Sequence, residues 1–217
     1  MTRDQLLLRA RQHANAEDSD RWDDTTELLP LADVVVRREW GYILDAAPEY
    51  RLARRTPTSS AGGLITRSDL SITGETCYRI LGVLRDAIAY GRTDLREALV
   101  GIDQGQVERR YAPWADGIRV FPSEAATHTV YVNHYPSLPT ELTTGSDTVV
   151  LPSGYDIVVE LELGAEMLDK AGADDKGSAV LRQRASRFRQ EILGELQRQH
   201  GGPVEFAPEG SAYEYGG

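Results

Sequence analysis

The chain has a single cysteine, Cys77, in 217 residues, so neither an intrachain disulfide nor a thiolate metal cluster can form. Lysine is nearly as scarce: among the 24 basic residues only Lys170 and Lys176 are lysines, and the rest are arginines. No apolar run reaches the roughly 18 residues of a membrane-spanning helix. The first residues, Met1 to Arg9, lack the apolar stretch and small-residue cleavage site of a secretory signal, which points to a protein made in the cytoplasm. Phosphate loops, dinucleotide fingerprints, Gly-x-Ser-x-Gly elbows and His-Glu-x-x-His pairs are all missing. Basic charge is also short overall, since 34 Asp and Glu leave a net charge of −10. Such a chain has no global attraction to a phosphate backbone.

What is present is ordinary globular material, 41% hydrophobic and 27% charged, in a length that suits one medium domain or two small ones. Charge is unevenly placed. Between Val120 and Asp169 no Lys or Arg occurs, while Glu124, Glu141, Asp147, Asp156, Glu160, Glu162, Glu166 and Asp169 are all acidic.

Helical spacing runs through residues 2–14, with Leu6, Leu7, Ala10 and Ala14 on one stripe. Trp22-Asp23-Asp24-Thr25 offers caps for a longer helix ending near Ala47, with Leu29, Ala32, Val36, Trp40 and Ile43 inward. Pro30 either falls in the first turn of that helix or kinks it. Short β-like pieces follow at 69–73, 78–83 and 87–90, and a brief helix is expected at 94–102. Clearer strands occupy 117–121 and 127–135, the second placing His128, Val130, Val132 and His134 on one face. Ser153 to Ala171 reads as a helix, although Ile157 to Leu163 alternates enough to pass for a strand. A last helix runs from Asp175 to Gln199 with Leu181, Ala185, Phe188, Ile192 and Leu196 inward. The fold class is therefore α+β: N-terminal and C-terminal helix pairs forming a bundle, and a small antiparallel β-rich insertion at about 50–150. One domain over 1–199 is expected, followed by an extended tail at 200–217.

Candidate chemistry is thin. His128 and His134 share a strand face but stand about 20 Å apart at strand rise, too far to ligate one metal. Hydrogen bonding to local groups in a partly exposed strand is the simpler role for them. Cys77 has no motif around it and reads as a small buried apolar residue rather than a nucleophile. Arg182, Arg184, Arg187 and Arg189 form a basic patch, read first as balancing an acidic partner or the acidic 120–169 stretch and second as a phosphate contact. No catalytic, cofactor or metal residue is assigned.

Taken in order, several short motifs resemble the head-to-tail adaptor (connector) proteins of tailed bacteriophages. They are Arg21-Trp22-Asp23-Asp24-Thr25-Thr26-Glu27-Leu28 opening a long helix, then Ile118-Arg-Val-Phe-Pro122 and Val130-Tyr-Val-Asn-His-Tyr135. Pro136-Ser-Leu-Pro-Thr-Glu-Leu142 follows, with Leu151-Pro-Ser-Gly-Tyr155 leading into a helix. The acidic turn Asp169-Lys-Ala-Gly-Ala-Asp-Asp-Lys176 then joins two helices. The resemblance spans residues 2–198 and departs at Pro30 and at 84–113.

It implies a non-enzymatic virion protein of the neck, a ring homo-oligomer and by family habit a dodecamer. Such a ring docks on the portal protein, extends the DNA channel used in genome packaging and ejection, and carries the tail or nozzle components. Glu141 and Asp147 are then candidates for an acidic channel wall past which DNA slides without specific binding. Val204, Phe206, Tyr213 and Tyr215 become candidate anchors of the tail on the portal or a neighbouring subunit, because spacing two puts each pair on one side of an extended strand. No membrane partner is expected. Two other classes compete. A small DNA-binding regulator is disfavoured by the net charge and by the long 15–22 connection. A hydrolase using Cys77 or a histidine, or another neck or tail-completion protein, completes the set.

Overall fold

The structure is a computed structural model describing residues 1–15, 22–73, 75–97, 99, 108–136, 147–172 and 175–200. The fold class is α+β. The chain forms two compact units. One combines Met1–Tyr50 with Pro136–Gly202, and the other is built on Arg51–Tyr135.

The first unit is helical. Helix α1, Arg3–His13, begins with a reciprocal cap: the Thr2 hydroxyl accepts from the Gln5 N–H and the Gln5 side chain accepts from the Thr2 N–H. Its inward face is Leu6, Leu7 and Ala10. Helix α2 is Leu29–Ala46, preceded by one π-helical turn at Asp24–Leu28. Asp23 caps that turn, accepting from the Thr26 N–H at 2.7 Å. Pro30 sits in the first turn of α2, the first of the two possibilities for it. Proline has no N–H for the Thr26 carbonyl and its ring crowds that oxygen, so a wider turn ahead of it avoids the clash.

Helix α3, Asp156–Ala171, is buried on all sides from Val158 to Ala165. This explains the strand-like alternation at 157–163: a helix surrounded by others has no polar face to set a 3.6-residue period. Gly172, in the left-handed region at φ 59°, closes it. Helix α4, Asp175–His200, buries Leu181, Ala185 and Leu196, while Phe188 and Ile192 are half-buried. Helices α1, α2 and α4 all pack against α3. Between α1 and α3 the backbones approach closely at Gly164, where a Cβ would stand 3.1 Å from the Ala10 carbonyl oxygen and 3.2 Å from the His13 Cβ. The segment from Asp147 to Val149 also belongs to this unit. Arg3 N–H donates to the Asp147 carbonyl at 2.8 Å and Val149 N–H to the Met1 carbonyl at 2.9 Å.

Among the described residues the second unit holds eight strands: β1 Leu52–Arg55, β2 Leu64–Thr66, β3 Glu75–Arg85, β4 Ile88–Ala89, β5 Gly91–Arg92, β6 Arg110–Trp114, β7 Gly117–Phe121 and β8 Thr129–Pro136. They form two four-stranded sheets, β1-β8-β3-β4 and β2-β7-β6-β5. The pairs β1–β8, β2–β7, β3–β4 and β6–β7 are antiparallel, in keeping with the expected antiparallel insertion, and the short β5 runs parallel to β6. Ile65, Val83, Tyr111, Ile118, Val120, Val130 and Val132 form its core. Complete burial of each aliphatic side chain contributes about 1.5–3 kcal/mol. At the β6–β7 hairpin a Cβ on Gly117 would lie 2.1 Å from the Ile65 carbonyl oxygen, so only glycine lets β2 pair there. The piece expected at 69–73 is instead a 3-10 turn at Ser68–Leu70 and a single bridge from Ile72. Of the helix expected at 94–102, residues 95–97 and 99 are helical, with the Asp94 carboxylate capping the Glu97 N–H at 2.7 Å. The rest lies outside the described residues.

Candidate functional site

In the helical unit, charge is concentrated where α2, α3 and α4 meet. Glu39 projects from the buried face of α2 between Val36 and Ile43 and is fully buried. Arg189 of α4 grips it with two hydrogen bonds, Nε to Oε2 at 2.8 Å and Nη2 to Oε1 at 2.7 Å. The Tyr155 hydroxyl donates to the same Oε2 at 2.9 Å. Arg189 also reaches Glu162 Oε1 on α3 at 2.5 Å, and its guanidinium lies 4.9 Å from the centre of the Tyr42 ring. Arg38, next to Glu39 on α2, donates to Glu162 Oε2 and Glu166 Oε1, both at 3.0 Å. Burial raises the Tyr155 hydroxyl pKa above its ordinary range, and the neighbouring Glu39 charge raises it further. Burial opposes the charge on Arg189, but its bonds to Glu39 and Glu162 outweigh that and hold the guanidinium protonated.

The same logic continues along α3. Arg9 of α1 donates to Glu160 at 2.8 Å, with the His13 ring nitrogen 3.7 Å from the other oxygen. Arg182 bridges Glu166 and Asp169, at 3.4 and 2.5 Å. The Asp169 pKa is lowered chiefly by a hydrogen bond from Ser178, with Arg182 adding to it against the opposing effect of burial. Every carboxylate of α3 from Glu160 onward thus faces an arginine of another helix, and in the β unit Glu124 pairs with Arg85. Most of the acidic 120–169 stretch is therefore engaged in ion pairs inside the fold. Arg182 and Arg189 of the basic patch balance it, as the first reading of that patch expects. This arrangement keys helices together, and both Glu39 oxygens accept hydrogen bonds from groups of this chain.

His128, one residue ahead of β8, and His134 within it are more enclosed than partly exposed strand residues. His128 and His134 are each only 1% exposed. His128 Nε2 stands 3.0 Å from Ser59 Oγ. That hydroxyl has one proton, and the Glu124 carbonyl at 2.7 Å accepts it, so the imidazole must be the donor to Ser59. A serine nucleophile needs the reverse polarity, with the ring accepting the hydroxyl proton. His134 Nε2 likewise lies 3.0 Å from the Leu70 carbonyl and donates to it. The His128 pKa is lowered by burial first and by the nearby Arg85 charge second. Both rings are fixed by local hydrogen bonds. Cys77 is half-buried and its thiol pKa is raised by burial, only partly offset by Arg67, the opposite of an activated thiolate. Among the described residues, no three His, Cys, Asp or Glu side chains are grouped to hold a metal ion.

One cavity in the β unit was not foreseen. It measures about 170 Å³ and lies between β3, β5, β6 and β7, floored by Ile80, Tyr111 and Ile118. Arg67, Arg79 and Arg92 line it from three different elements, and no acidic residue is among those lining it within the described residues. Neither this cavity nor Glu39 belongs to a motif. Glu39 had a visible signal, a carboxylate inside the apolar stripe of α2. The three arginines, spread over 26 positions of a loop-rich segment, had none.

Of the candidates for a channel wall, Asp147 is half-exposed, with its backbone tied to Arg3, and Glu141 lies outside the described residues. Val204, Phe206, Tyr213 and Tyr215 also lie outside them. No protein-family model matches this chain, and no curated protein does either.

Proposed function

We propose that this chain is a structural subunit of the neck of a tailed bacteriophage. It assembles as a ring homo-oligomer on the portal protein, extends the DNA channel and presents a surface for tail components. The observation that carries the reading is the interleaving of the two units. Two helix pairs, contributed by residues before 50 and after 136, close on one another, and the β unit enters between them in sequence. That order matches the order of the short motifs that resemble the adaptor family. Large apolar side chains on the outer faces of the helices, Leu8, Val34, Tyr42 and Val180, add surface suited to packing against other subunits. Asp147 and Glu141 remain the acidic candidates for the channel wall, and the tail anchors remain Val204, Phe206, Tyr213 and Tyr215.

A DNA-binding regulator fits less well, because Arg182 and Arg189 of the basic patch are already committed to carboxylates of this chain. The test is assembly. The isolated protein should sediment as a monomer or small oligomer, since acidic subunits repel one another without a template. Mixed with portal rings of the same virus, it should co-sediment at a fixed stoichiometry. Absence of any complex with portal rings overturns the proposal.

A further inference from the structure

The cavity of the β unit has the size, lining and charge of a receptor for one aromatic residue beside a carboxylate. A void of about 150 Å³ is enough to admit a benzene ring, and this one measures about 170 Å³. Ile80 and Ile118 supply apolar floor, and Tyr111 supplies a ring for edge or stacked contact. Arg67 and Arg92 can each stack on an aromatic face or fork onto a carboxylate. A lone metal cation or a basic peptide is repelled by three guanidinium groups.

The chain carries a matching segment of its own. Residues 203–217 contain no Lys or Arg and three glutamates, and twice a glutamate precedes an aromatic: Glu205-Phe206 and Glu214-Tyr215. Pro203 and Pro208 flank the first pair in sequence, and proline disfavours a helix interior. A phenylalanine leaves no hydroxyl to satisfy in an apolar floor, which favours the first pair over the second. We infer that Phe206 occupies the cavity of the β unit and that Glu205 pairs with the arginines at its rim. This assigns the 203–217 segment a docking site made by this chain itself. The inference does not rest on the neck reading, because it needs no portal protein.

Cys77 lines the same cavity and is the only native cysteine, so it reports directly on the occupant. In the full-length protein, Ala207→Cys, which keeps Phe206, should form a disulfide with Cys77 under mild oxidation by diamide. The rate should be at least about tenfold that of a Gly210→Cys control, and the bond should vanish when Cys77→Ser is added. A faster-running monomer on a non-reducing gel shows the segment folded onto its own unit, and a covalent ladder shows it lent to a neighbouring copy. Either pattern supports the docking. Equal rates for the two positions, or cross-linking through Gly216→Cys but not through Ala207→Cys, overturn it. A second measurement avoids the introduced thiol: Phe206→Ala and Arg92→Glu should each speed labelling of Cys77 by a small maleimide several-fold. Labelling at the unmodified rate in both variants also overturns the inference. Failure of portal binding leaves these outcomes untouched, and their failure leaves portal binding untouched.

Discussion

Glu39, Glu160 and Glu162 lie inside the helical unit, each held in an ion pair by an arginine from a different helix. In the β unit the enclosed polar side chains include His128, His134 and Ser59, which are hydrogen-bonded to carbonyls or to each other. The contrast follows from how each unit specifies its partners. A β-strand is aligned by a ladder of backbone bonds, as β1 is to β8 from Leu52↔Asn133 to Arg55↔Val130, and a slip of one residue would expose Val130 and Val132. Helices carry no such ladder between them. Apolar stripes on α2, α3 and α4 could slide or rotate against one another, and a two-pronged Arg189–Glu39 clasp fixes one arrangement. Buried ion pairs add little net stability but much cost when half removed. The helical unit should therefore be the more fragile to single charge deletions, and the β unit the more sensitive to mild acid.

The largest expected effect is at the clasp. Arg189→Met strands the Glu39 carboxylate and should destabilise the helical unit by about 3–5 kcal/mol. Adding Glu39→Leu removes the stranded charge and should restore most of the loss, leaving a coupling of several kcal/mol in a double-mutant cycle. Hydrogen exchange resolved by peptide is the measurement. Protection should fall in 29–46 and 156–171 and stay unchanged in β8. Equal losses for the single and double variants would mean that packing, not charge, holds these helices.

Next is the close approach of α1 and α3. Gly164→Leu must displace the Ala10 carbonyl and the His13 side chain, and overpacking of this kind costs about 1–3 kcal/mol. A thermal melt should show it, with exchange in 3–13 rising first. An unchanged melt would show that α1 can move off α3 freely.

The pH dependence separates the units. The folded-state pKa of His128 lies below its unfolded value of about 6.5, so its contribution is present above that pH and is lost as pH falls through the lowered value. The Asp169 pKa is also lowered, from a starting value near 4, so the corresponding loss in the helical unit waits for stronger acid. At the other extreme, the Tyr155 pKa is raised. Its contribution is complete below about pH 10 and is lost as pH rises through the folded value. Acidification from pH 7 to 5 should thus loosen β8 before α3, and His128→Gln should remove most of that difference. Alkali above pH 10 should loosen the helical unit, an effect that Tyr155→Phe abolishes. Parallel loosening of both units in mild acid would break the comparison.

Much of this was legible in the sequence where one face of an element is polar. The stripes of α1 and α2, the β7 strand and the inward row Val130, Val132 and His134 could all be read from period alone. Helix α3 was ambiguous because it is surrounded, and β1, β2 and β6 went unread. β2 is three residues long, and β6 carries Pro113 and an exposed Trp114, so neither shows a clean alternation. The acidic run at 120–169 was legible as charge, but not as charge engaged inside the fold. Its partners Arg9, Arg38 and Arg189 lie between 27 and 151 positions away from the residues they meet. No local pattern encodes such a pairing.

The smallest expected effect makes the sharpest control, since it lies two residues from the largest. Arg187 and Arg189 are neighbours on α4, and in the sequence they belong to one basic patch. Arg189 has 17% of its side chain exposed and meets two buried carboxylates. Arg187 has 81% exposed and meets Glu191 one turn on, at 3.2 Å. Water already solvates both members of that pair, and holding two long side chains together costs rotamer entropy, so such a pair contributes about 0.3–0.5 kcal/mol. Arg187→Ala should therefore shift the melt of the full chain by no more than the error of the measurement, and its small effect should vanish in high salt. Arg189→Met should keep most of its effect in the same salt, because its partners are screened by protein rather than by ions. If both variants respond equally to salt, the Arg189 clasp is open to water, and the contrast drawn between the two units fails at its strongest point.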